Sequence, residues 1–350
     1  RAADPLVKVS GLHHVVLECR DLDAAERFYA DFGLVRSART DEALYLRTHG
    51  TSHHVLELVR GTRSRLVAVA MSVASELDLR KLASLPDATI ERIDGPGGGR
   101  RVRLVAPGGL VFDAVLGIDE VSSRPTRAPV PRNVTGELAR AGQTVRLPPA
   151  PSELLRIGHA ALETPRPVAL VLWLMRTFGM IVSDYQPIDE TPGALPVASF
   201  MRCDRGTEPT DHHTLAIALG PKTGVAHIAF EVADIDEIGR GAAHLRARMH
   251  RHAWGIGRHI LGSQLFDYWR SPDGIVVEHY ADGDVLDANA PTGRLAFQGS
   301  NLAQWGAPPP LDFVMPPMSP SGFVEAARGL SSSDEASVSL FTRALRALSR

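Results

Sequence analysis

The sequence predicts an α+β protein built from two copies of one strand–helix–multistrand unit, each copy a pair of βαβββ modules. Three observations carry this. Matched blocks recur in the same order in the two halves of the 350-residue chain. Short segments alternate apolar and polar residues, the period of a strand. Others carry an apolar stripe at the helical period.

The first block is "GLHHVVLECRDLDAAERFYADFGLV" from Gly11, matched by "RIGHAALETPRPVALVLWLMRTFGMI" from Arg156. Each reads as a strand, a helix and a Phe-Gly stop. Leu22, Ala25, Phe28, Tyr29 and Phe32 form the first helical stripe, with Gly33 as C-cap. The second helix is apolar nearly all round, which predicts cover on more than one side. "TSHHVLELVRG" from Thr51 then matches "TDHHTLAIALG" from Thr210, and "RLVAVAMSV" from Arg65 matches "GVAHIAFEV" from Gly224. "APGGLVFDAV" from Ala106 matches "SPDGIVVEHY" from Ser271. Ile235, Ile238, Ala242, Leu245 and Met249 predict one more helix.

The expected domains are residues 1–135, 150–290 and a C-terminal extension, 291–350. The Pro-rich stretch from Ser122 to Glu153 reads as a surface linker. In the extension, "QWGAPPPLDFVMPPMSPSG" should be irregular. A closing helix follows, with Ser332 and Glu335 as a capping box and Val338, Phe341, Leu345 and Leu348 on one face.

A net charge of −2 with scattered Lys and Arg gives no footprint for nucleic acid or an anionic membrane. The two cysteines, Cys19 and Cys203, have no zinc-type spacing; a disulfide between them stays open. The longest apolar run, Val168 to Met175, is too short to span a bilayer. With no apolar signal core at the start, a cytoplasmic protein is the expectation.

Overlaying the copies exposes three columns. One half holds His159, His227 and Glu278; the other holds His14, Ala68 and Asp113. Two imidazoles and a carboxylate are the facial donor set of non-haem Fe(II) oxygen chemistry, and Mn(II) fits the same donors. A single strand histidine is more often a hydrogen-bonded core residue. Here all three fall on predicted strands, and Glu278 lies in "IVVEHY", where an unpaired carboxylate is costly to bury. Ala68 removes the middle donor from the first half.

The order "IGHAAL", "HHTLAIALGPKTGVAHIAFEV", "GRH", a Tyr and a last-strand Glu resembles the type I extradiol ring-cleavage dioxygenases of the vicinal oxygen chelate superfamily. The resemblance spans residues 8–285 and is densest from 210 to 283. It implies a glyoxalase-like fold of two barrel-like domains, the first non-catalytic. It implies that His159, His227 and Glu278 hold the metal, and that a catechol is opened with both atoms of dioxygen. His259 and Tyr268 would hydrogen-bond the catecholate. His213 would act as acid or base on the dioxygen side.

Alternation sends one of His212 and His213 inward, and the resemblance selects His213. His53 and His54 read as vestigial, His279 as facing away, and His244, His250 and His252 as surface residues. The segment "NLAQWGAPPPLDF" would cover the pocket, with Trp305 on the substrate ring. "ILGSQ" after "GRH" suggests a larger or more apolar ring substituent. Homo-oligomers are expected from the resemblance. Two other readings are a different metalloenzyme of this superfamily, against which Ala68 argues, and a metal-free binding protein of the same fold.

Overall fold

A computed structural model describes residues 1–314 and 320–348. In the first half the order is β1 (Gly11–Cys19), α1 (Leu22–Phe32), β2 (Val35–Arg39), β3 (Ala43–Arg47) and β4 (Leu56–Arg60). A second module follows: β5 (Arg65–Ser72), α2 (Glu76–Leu82), β6 (Ile90–Arg92), β7 (Arg100–Val105) and β8 (Val111–Leu116). These strands form one eight-stranded sheet, β2-β3-β4-β1-β5-β8-β7-β6. The unit is thus strand, helix, three strands, twice over.

The linker carries a small hairpin, β9 (Asn133–Val134) and β10 (Glu137–Leu138), and is otherwise mostly exposed. Arg127 fastens it to the second half through Asp234 and Glu237. The second half repeats the order with β11 (Arg156–Thr164), α3 (Pro167–Phe178), β12 (Ile181–Pro187), β13 (Pro196–Arg202), β14 (Thr210–Asp211) and β15 (Leu215–Leu219). It continues with β16 (Gly224–Glu231), α4 (Ile235–Ala247), β17 (Arg251–His259), β18 (Leu265–Arg270), β19 (Val276–Ala281), β20 (Val285–Leu286) and β21 (Gly293–Arg294). The extension adds β22 (Ala303–Trp305), α5 (Leu311–Val314), α6 (Pro320–Ser332) and α7 (Val338–Leu348). The large sheet runs β21-β12-β13-β15-β11-β16-β19-β18-β17-β22, and β14 pairs with β20.

Local chemistry explains the helices. Asp21 caps α1 by accepting from the backbone N–H groups of Asp23 and Ala24. Gly33, at φ 123, closes it. The expected face of Leu22, Ala25, Phe28, Tyr29 and Phe32 is buried. One apolar core runs through both halves, including Phe28, Phe112, Phe178, Phe230 and Trp269. No helix among the described residues is long and apolar enough to cross a membrane.

Several expectations need correction. The closing helix begins at Val338, because Ser332 ends α6 and Ser333 caps the turn between them. Val338 is exposed, and Leu340 and Ala344 make the packed face against Ile188 and Val197. Glu335 caps a different helix. Its carboxylate accepts from the N–H groups of Val168 (2.7 Å) and Ala169 (2.9 Å) at the start of α3, which has no side-chain cap of its own. Part of the expected irregular stretch is ordered as β22 and α5, while residues 315–319 lie outside the described residues. Met249 falls past the end of α4 and is exposed. His244 and His250 both bond Asp31 of α1, and His252 bonds Asp267, so none is a free surface residue. Both cysteines are free and buried.

Candidate metal centre

Strand register assembles the site. On β18, Tyr268 lies opposite Glu278 of β19. Glu278 lies opposite Ala229 of β16, and Ala229 opposite His159 of β11. Residues directly opposite share a face, so Tyr268, Glu278, Ala229 and His159 form one row across four strands. His227 sits two residues from Ala229 and therefore on the same face. The small Ala229 leaves the centre of the row to the side chains around it. Gly158 is required beside His159, because a Cβ there would collide with the Tyr280 hydroxyl.

The three predicted ligands converge. His159 Nε2 lies 3.2 Å from Glu278 Oε2, His227 Nε2 lies 3.4 Å from the same oxygen, and the two imidazole nitrogens are 3.3 Å apart. Glu278 is fully buried. Neither of its carboxylate oxygens meets hydrogen-bond geometry with a donor among the described residues. Burial pushes the Glu278 carboxyl up and lowers His159 and His227 to about 3 each. The imidazoles are then neutral with lone pairs free, beside a buried carboxylate whose desolvation outweighs what Tyr268 and the neighbouring histidines give it. A divalent cation answers all three conditions at once.

His213 is buried with its ring centroid 4.2 Å from that of His159. Its Nδ1 is 3.0 Å from Nδ1 of His212, whose Nε2 is 2.6 Å from Asp184 Oδ2 on β12. Both histidines are therefore inward. The doublet occupies a bend before β15, where strand alternation does not apply. Burial, then the neighbouring histidines, lowers His213 well below its usual range.

His259 Nε2 is 2.9 Å from the Tyr268 hydroxyl, and its Nδ1 donates to the Leu302 carbonyl at 2.8 Å. That second bond fixes the tautomer and leaves Nε2 as acceptor toward Tyr268. Burial, then the charge of Glu278, raises the Tyr268 phenol well above 10. The C-terminal extension does reach the site, with a different aromatic residue from the one expected. Trp305 is half-exposed on β22 opposite Arg258. Phe313 packs on Tyr268 and Trp254, with ring centroids 5.0 and 5.1 Å away.

No family model matches the chain. It is 30% identical over 320 residues to metapyrocatechase 2 of Cupriavidus necator, covering 89% of this chain and 94% of that protein. Among solved structures it resembles a Mn(II)-bound glyoxalase from Novosphingobium aromaticivorans, at a TM-score of 0.73 and 25% identity. That match covers 90% of this chain and 97% of the other. It also resembles homoprotocatechuate 2,3-dioxygenase from Brevibacterium fuscum, solved as an anaerobic complex with 3,4-dihydroxyphenylacetate. The TM-score is 0.71 at 22% identity, over 89% of this chain and 93% of that one.

Proposed function

Because the chain belongs to the extradiol dioxygenases of the vicinal oxygen chelate superfamily, and so opens catecholic rings with dioxygen, we propose that His159, His227 and Glu278 hold one Fe(II) at which this occurs. The observation that carries the proposal is the convergence of the two imidazole nitrogens and one oxygen of the fully buried Glu278 to within 3.2–3.4 Å of one another. Bound there, the ion supplies redox coupling between an electron-rich catecholate and dioxygen. Mn(II) on the same donors is the second candidate.

The protein's own residues manage protons and orientation. With its proton held on Nδ1 by Leu302, His259 accepts at Nε2 from Tyr268; a bound catechol would exchange that bond, giving its hydroxyl proton to Nε2 while Tyr268 turns its O–H to the resulting oxyanion. His213 flanks His159, whereas Tyr268 flanks His227 at 5.2 Å between centroids. The two proton-handling groups thus serve different ligands. The Asp184–His212–His213 chain has two proton arrangements. With one proton on His212, His213 donates to it through Nδ1 and keeps Nε2 as a base. With two, His212 donates to His213 and leaves Nε2–H as an acid. Asp184 is partly exposed, so the chain links the site to solvent.

Both atoms of dioxygen end in a ring-opened enol, and no external reductant is needed. Phe313, Trp254 and Phe266 make the catechol side aromatic and apolar, which fits a catechol with an apolar substituent. The test is anaerobic loading with Fe(II) or Mn(II), a panel from catechol to 2,3-dihydroxybiphenyl, then admission of oxygen. One dioxygen consumed per yellow product, absent in His227→Ala, is the expected result. Failure of the chain to retain either metal at one per site would overturn the assignment.

A further inference from the structure

The first half is built on the same rows as the second, yet its donors have been rearranged. Arg103, Asp113, Ala70 and His14 lie opposite one another in sequence across β7, β8, β5 and β1. They stand where Tyr268, Glu278, Ala229 and His159 stand in the other half. Ala68 stands where His227 does. Asp113, the counterpart of Glu278, is taken by Arg103 in two bonds of 2.8 and 2.7 Å. The second half's ligand set is therefore dismantled here.

A different set has formed beside it. Glu57 of β4 lies opposite both Val16 and Tyr45, which puts it on the face of His14. By register its counterpart is Ala216, which offers no donor, so this carboxylate is particular to the first half. His54 leads into the same strand. One donor atom from each of His14, His54 and Glu57 lies within 4.8 Å of the others. The two histidines are buried, with ring centroids 4.5 Å apart. Each Nδ1 is engaged by the preceding histidine, His13 at 2.8 Å and His53 at 3.0 Å. This leaves each Nε2 free and its ring oriented, the arrangement of a metal-ligating imidazole.

We propose that His14, His54 and Glu57 form a second metal site for a borderline divalent cation such as Zn(II) or Co(II), opening onto a cavity of about 400 Å³. Two nitrogens and one oxygen favour this class over the oxygen-seeking Mg(II) and Ca(II). Burial lowers His54 to about 3 and His14 well below its usual range, so both are neutral ligands at working pH. Burial raises the Glu57 carboxyl, and a cation would reverse that penalty. Tyr45, Arg101 and Arg103 line the same cavity. The remaining coordination positions therefore face room for water or a small anion.

The test counts metal. The full chain is stripped with a chelator and titrated with Co(II), followed by its visible d–d absorption, with Zn(II) bound at equilibrium counted by mass spectrometry. Two ions per chain are expected. Glu57→Gln and His54→Gln should each reduce the count to one, or weaken the second site at least tenfold, while iron-loaded ring cleavage persists. His227→Ala should lose the other ion and keep this one. A single ion per chain at saturation, or two ions undisturbed by Glu57→Gln, overturns the proposal. The near-isosteric Glu57→Gln decides the matter if His54→Gln does not fold.

Discussion

His279 lies flat on Phe32, ring centroids 3.8 Å apart, and donates through Nε2 to the Phe32 carbonyl at 2.8 Å. His279 follows Glu278 on β19, and Phe32 ends α1 of the other half. The strand that carries Glu278, the proposed carboxylate ligand, is thus bolted to the first half. Phe32→Ala should cost about 3–5 kcal/mol, read as a lowered urea midpoint, and should also weaken iron retention. A stability loss with unchanged iron affinity would show that the bolt does not reach the metal.

Glu278→Gln removes the buried charge and keeps the shape. The variant should retain less than a tenth of the iron and lose ring cleavage. Without metal, it should melt at a higher temperature than the metal-free parent, because an unpaired buried carboxylate is destabilising. Calorimetry on both stripped proteins checks this; a lower melting temperature for the variant would contradict it.

Asp184→Asn leaves the His212–His213 pair in place without its carboxylate. With proton delivery impaired, kcat should fall roughly 10- to 100-fold, by analogy with other outer-shell losses. Iron content and KM should change little, and the pH–rate profile should shift. An unaltered profile would remove Asp184 from the relay.

Phe313→Ala removes the ring that packs on Tyr268 and Trp254, on the side where the catechol is proposed to bind. KM for unsubstituted catechol should rise several-fold, while bulkier catechols lose less or gain. Steady-state kinetics across the panel reads this directly. Uniform losses for all ring sizes would place Phe313 outside substrate selection.

The duplicated framework was readable because each module repeats its spacing, so aligned columns exposed His159, His227 and Glu278 together. A buried carboxylate between valines, histidine and tyrosine needs a counter-charge, and that need is visible without coordinates. Alternation misplaces His212 because the rule holds inside strands, and its doublet precedes one. Asp184 lies 28 residues away on a different strand, a contact that no local pattern encodes. The apolar, Pro-stiffened segment around Trp305 points to cover over the site, but edge pairing with β17 leaves Trp305 half-exposed, and it is Phe313 of α5 that packs on Tyr268. Glu57 escaped the overlay because its counterpart, Ala216, carries no donor and so marked no column.

The cap on α3 has a consequence during synthesis. Val168 and the Glu335 that satisfies its N–H are 167 residues apart. At about 5–20 residues per second, the start of this helix waits on the order of 8–30 s before its partner leaves the ribosome. Through that interval an almost wholly apolar helix has an unfinished end. A ribosome stall between the codons for Leu170 and Glu335 would therefore prolong the interval in which this apolar helix depends on a chaperone.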